Sequence, residues 1–189
     1  MIDDRYIFDC EVFAFDWLFV FKHKRCVMKF EKFVKSLASS GVIYNQQIGD
    51  LPINDRWLAS PSVFMRIPVT VKSVTAAAIQ EMPKTISKMI DQIGHTEYAE
   101  LAEAIMPYPD GGIKDCIRVF KTKDGTISIK ISNDDWSLIE KSDLCEILYA
   151  YDLDTNSTVA KALLVKQYPE LPDDEDELVG IIFPVNLEV

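Results

Sequence analysis

The chain has 189 residues, enough to bury a full core as one domain or two small ones. Its hydrophobic fraction of 48% and aromatic fraction of 11% are those of a globular protein. The formal net charge of −10 excludes a simple phosphate-binding module, which draws its affinity from Lys and Arg. It does not exclude a metal-dependent nuclease, because bound cations supply positive charge locally.

In chain order, residues 5–10 and 12–22 read as two aromatic-rich strands, and Val27–Phe30 as a third. The run Val12–Phe21 is too short and too interrupted by acid to span a bilayer. With Asp3 and Asp4 before Arg5 it lacks the basic start of a signal peptide, so a cytoplasmic protein with no membrane partner is expected. Glu31–Ser39 has apolar Phe33, Val34 and Leu37 at helical spacing, with Gly41 as its stop. Val42–Tyr44 reads as a strand. Residues 49–71 carry Gly49, Pro52, Pro61 and Pro68, which disfavour helix and strand and mark a boundary. The division is therefore 1–58 and 59–189.

From Val71 to Gly94 the pattern is helical with a break at Pro83. Thr96–Met106 reads as a second helix, with Tyr98, Leu101, Ala102 and Ile105 on one face. Ile117–Phe120 and Ile127–Ile131 flank Asp124-Gly125, a hairpin signature. Asn133 is a suitable cap for a short helix through Trp136. Ile147–Leu153 and Val159–Val165 form a second hairpin pattern, and Val179–Val185 a last strand. Between them lies an acidic loop containing Asp173, Asp174, Glu175, Asp176 and Glu177.

Four cysteines, Cys10, Cys26, Cys116 and Cys145, lack metal-ligand spacing and read as buried free thiols. The sharpest chemical feature is Asp9-Cys10-Glu11 within an apolar run. In a strand, Asp9 and Glu11 share one face, and a divalent cation between them would relieve their repulsion. This segment resembles the first motif of the proofreading 3′→5′ exonuclease domain of bacteriophage DNA polymerases, in which Asp-x-Glu binds the catalytic metals. Asn45 and Asp50 resemble that family's second motif, with Gly49 where an aromatic residue is usual. No copy of the third motif is present; His95 is followed five residues later by Glu100.

The resemblance covers residues 5–58. It implies a ribonuclease H-like sheet and a site of Asp9, Glu11 and Asp50 holding magnesium or manganese, active or degenerate, with DNA as substrate. The expected fold is accordingly α+β, a ribonuclease H-like mixed sheet followed by helices and a mostly antiparallel β unit. The alternative is a non-enzymatic acidic protein of the anti-restriction or anti-CRISPR kind. It would bind a basic nucleic-acid enzyme through the Asp173–Glu177 run. A structural or assembly protein is the third reading.

Overall fold

A computed structural model describes residues 28–37, 40–47, 54–91, 95–106, 111–112, 115–141, 143–154, 156–167 and 176–185. The first element is helix α1 (Phe30–Leu37). Phe30 and Phe33 are buried, with Val34 and Leu37 partly buried beside them, the i, i+3, i+4, i+7 stripe of an amphipathic helix. Phe30 therefore opens a helix, where a third strand was expected. Gly41 follows, where the Leu37 and Leu58 side chains close on the backbone; a Cβ there would lie 2.8 Å from Leu37 Cδ1.

Among the described residues ten strands follow: β1 (Val42–Gln47), β2 (Asn54–Ala59), β3 (Val63–Arg66), β4 (Ala78–Glu81), β5 (Thr96–Ile105), β6 (Ile117–Thr122), β7 (Ser128–Ser132), β8 (Leu144–Asp152), β9 (Ser157–Gln167) and β10 (Glu177–Ile182). They order as β4-β1-β2-β3-β10-β9-β8-β5-β6-β7. Every pairing is antiparallel except β1 with β4. Besides α1, the described helices are α2 (Lys84–Asp91) and the single-turn α3 (Asn133–Trp136).

The expected α+β fold with a ribonuclease H-like mixed sheet is thus corrected: this is one large, nearly all-antiparallel sheet with a few short helices. Residue 58, the expected end of the first unit, sits in β2, an interior strand of that sheet.

Four further expectations give way. Residues 49–71 are not strandless: Pro61 falls in the β2–β3 turn and Pro68 after β3, so each proline punctuates a strand without occupying it. The described part of 71–94, residues 71–91, is not one kinked helix; 71–77 are irregular, β4 pairs with β1, and α2 begins only after Pro83. Thr96–Met106 is not helical, because β5 pairs with both β6 and β8. At α3 the cap is Ser132, whose hydroxyl accepts from Asp135 N, while Asn133 is the first helical residue.

The sheet is buried on both faces at its centre. Side chains of β9 alternate, Leu163 and Val165 toward one core and Ala162 and Leu164 toward the other. The first core also takes Phe30 and Phe33 of α1, Phe120 of β6, and Ile129 and Ile131 of β7. The second takes Trp57, Phe64 and Ile181, with Ile86, Met89 and Ile90 of α2 packed against it.

The sheet curls over the first face. Val185, just beyond β10, donates its N–H to Lys130 O of β7, although four strands separate β10 from β7 in the pairing order. Gly180 of β10 leaves room for the Met28 thioether, which would have to shift if a Cβ were added there.

Candidate interaction site

Asp9, Glu11 and Asp50 lie outside the described residues, as do Asp173, Asp174 and Glu175. Of the acidic run, Asp176 and Glu177 are described, and both are exposed. Glu177 opens β10 and is ion-paired with Arg66 of β3, which also holds Asp55 of β2 at 2.8 Å. It therefore clamps three strands and is not a free loop carboxylate. Among the described residues, no group of three or more His, Cys, Asp or Glu side chains is placed to hold a metal ion. None of their helices is long and apolar enough to cross a membrane.

The described tryptophans and cysteines serve the core, while Trp17, Cys10 and Cys26 lie outside the described residues. Trp57 is 1% exposed, and its Nε1 donates to Gln46 Oε1 at 3.0 Å. Trp136 is half-buried with the Arg118 guanidinium 4.1 Å above its ring, so that face is already occupied. Cys116 and Cys145 are buried free thiols. Burial, with some help from Asp143, pushes the Cys145 thiol up to about 12, which keeps it un-ionised and unreactive.

One basic cleft of about 420 Å³ is lined by Lys29, Lys32 and Lys35 of the α1 region, with Glu31 and Glu140. Two of its ammonium groups are engaged within the fold. Lys29 Nζ donates to Ser137 O and Ile139 O at 3.1 and 3.0 Å, and Lys32 Nζ to Ser137 Oγ at 2.7 Å. The cleft thus fastens α1 to the chain after α3, and its two acids further reduce its attraction for an anion.

The feature most unlike the rest of the fold is β5. Its first residues, Thr96–Tyr98, pair with β8; from Ala99 to Ile105 it pairs with β6 alone. Every residue from Glu100 to Met106 is exposed, although the strand lies within the ten-strand order. Leu101, Ile105 and Met106 are 41%, 38% and 46% exposed.

A bulge sets the chemistry of this stretch. Leu101 stands opposite Phe120 and Glu103 opposite Val119, which leaves Ala102 as the extra residue. Residues three apart on a regular strand face opposite ways. The bulge instead places Glu100, opposite Lys121, and Glu103, opposite Val119, on one face. Ile105, opposite Ile117, joins them. Lys121 Nζ meets Glu103 Oε1 at 2.9 Å, an exposed pair.

Acid continues around this strand. Glu97 accepts a 3.3 Å hydrogen bond from the Tyr149 hydroxyl, whose pKa is held above its usual range by desolvation and then by the negative charge of Glu97 and Asp124. His95, just before β5, is exposed beside the Tyr149 ring. The arrangement is an acidic strand with apolar side chains between its carboxylates.

The sequence did not reveal this site, because Ala, Glu and Leu at these positions favour helix locally. Comparison with protein-family models, curated proteins and solved structures finds no match to this chain.

Proposed function

We propose that this chain is a non-enzymatic acidic binding protein. Its partner is a basic nucleic-acid-binding protein, and it acts by covering the surface on which that partner holds nucleic acid. The observation that carries this reading is β5, which is exposed from Glu100 to Met106 and aligns Glu100 and Glu103 on one face through its bulge. A net charge of −10 adds long-range attraction for a basic surface and repels nucleic acid itself. Interleaved Leu101 and Ile105 supply apolar area that a docked partner would remove from water.

The test is competition. The purified chain is titrated into complexes of labelled duplex DNA with restriction and CRISPR effector nucleases, and DNA release is followed by fluorescence anisotropy. Stoichiometric release from one of them, weakening as salt rises, is the expected result. Magnesium-dependent digestion of the DNA that disappears in Glu11→Ala would overturn it in favour of an exonuclease. In the same direction, manganese would raise the melting temperature of the wild type and not of Asp9→Ala, since a ligand binding only the folded state stabilises it.

A further inference from the structure

We infer that the partner binds by adding a strand to the free edge of β5, along residues 100–105. This rests on the acidic-binding reading and states its geometry. On the side away from β6, β5 is paired only through Thr96–Tyr98, where β8 ends its contact. Beyond that point the outward N–H and C=O groups meet no backbone partner among the described residues. Such a row is a template for another strand.

The two end strands of the order are blunted. β4 has four residues, and β7 is engaged at Lys130 by the N–H of Val185. Among the described residues, the β5 edge is protected by charge, with Glu97, Glu100 and Glu103 along it. That charge also selects the occupant. A second copy pairing at this edge would set glutamates beside glutamates, which is destabilising on a sheet. A strand alternating Lys or Arg with apolar residues would face Glu100 and Glu103 with cations and lay its apolar side chains on the other face, near Leu101 and Ala104. The favoured occupant is therefore a basic, amphipathic extended segment and not another molecule of this chain.

The probe is a short capped peptide alternating lysine and valine. Its control is the same peptide with alternate backbone amides N-methylated, which keeps the charge and shape but cannot complete a ladder. The intact chain should bind the first peptide about tenfold or more tighter, since several backbone hydrogen bonds are at stake. Amide exchange at residues 100–105 should slow on binding, and the double variant Glu100→Lys, Glu103→Lys should lose most of the affinity for both peptides while keeping its circular dichroism spectrum. Equal affinity for the two peptides would overturn strand addition and leave a charge-driven binding surface intact. Protection confined to another strand would also overturn it. Binding of neither peptide would remove both strand addition and the acidic-binding reading beneath it.

Discussion

β9 and β5 are strands of similar length, 11 and 10 residues, two places apart in one sheet. β9 is paired with β8 from Ser157 to Lys166 and with β10 from Leu163 to Gln167, and Ala162, Leu163, Leu164 and Val165 are 0–1% exposed. β5 is paired on one side at a time, with β8 from Thr96 to Tyr98 and with β6 from Ala99 to Ile105, and its second half is exposed throughout. The sequences match these fates only in part. β9 is rich in Val and Leu, which suit a strand buried on two faces. β5 reads Thr-Glu-Tyr-Ala-Glu-Leu-Ala-Glu-Ala-Ile, a composition that favours helix in isolation. The first strand is held by its own burial and the second by its partners. A segment whose local preference opposes its observed state is where function is expected to override folding.

The largest test of that contrast is truncation in each strand. Leu163→Ala should lower stability by about 2–5 kcal/mol, because it opens a cavity where nothing can collapse to fill it. Leu101→Ala should change stability by no more than about 0.5–1 kcal/mol, as for other surface positions. Urea unfolding of both variants measures the difference. Equal losses would mean that β5 is as integral as β9. Amide exchange adds the local reading: residues 162–165 should exchange only with global unfolding, and 100–105 by local opening.

The same contrast explains which parts of the fold were legible. Asp124-Gly125 announced the β6–β7 hairpin, and the turn forms with Gly125 at φ +73 and Thr122 N bonded to Ile127 O. β8, β9 and β10 declared themselves through apolar and β-branched runs. α1 showed its stripe of Phe33, Val34 and Leu37, though not Phe30, which reads locally as the end of a strand. Misreadings clustered where tertiary pairing overrode local preference. β2 and β3 are short strands fitted between prolines, and β5 is drawn into register by β6 and β8. The candidate site falls within that second group. Its exposure is a property of where the sheet places β5, and no local pattern of side chains encodes that.

Two cross-strand ion pairs offer a finer probe. Lys166 of β9 sits 2.8 Å from Glu146 Oε2, with the side chains 15% and 17% exposed. The two meet at ion-pair distance without hydrogen-bond alignment, so the attraction is Coulombic. Lys121 and Glu103 meet at 2.9 Å with 41% and 49% exposure. Removing a cation from a shielded pair strands its partner, so Lys166→Ala should lose more than about 1 kcal/mol and approach the 3–5 kcal/mol of a fully buried pair. Lys121→Ala should lose less than about 1 kcal/mol, and salt should erase that loss. A reversed order would show that the β5–β6 ribbon depends on its charges for folding, which would leave them unavailable to a partner.

The smallest expected effects come from two carboxylates with opposite pH signatures, one in the buried body and one at the turn beside the exposed ribbon. Asp135 of α3 accepts a 3.2 Å hydrogen bond from Ser62 Oγ in the β2–β3 turn, and burial raises its pKa above the ordinary 3.8. The native state therefore keeps this proton to higher pH than the unfolded chain. Its contribution to stability is full below the unfolded value and is lost as pH rises through the folded one. Asp124 of the β6–β7 turn is exposed and accepts from Thr122 Oγ1 at 2.6 Å, Thr126 N at 3.1 Å and Thr126 Oγ1 at 2.8 Å. These bonds lower its pKa, so its contribution is present above the unfolded value and is lost as pH falls through the folded one. Asp143 is raised by burial like Asp135, so each signature is read as wild type minus variant. Melting curves across the acid range should show Asp135→Asn removing a decline in stability with rising pH. Asp124→Asn should remove a decline with falling pH. If both variants shift the profile in the same direction, hydrogen bonding at the turn and burial in the body are not the opposed influences that their surroundings imply.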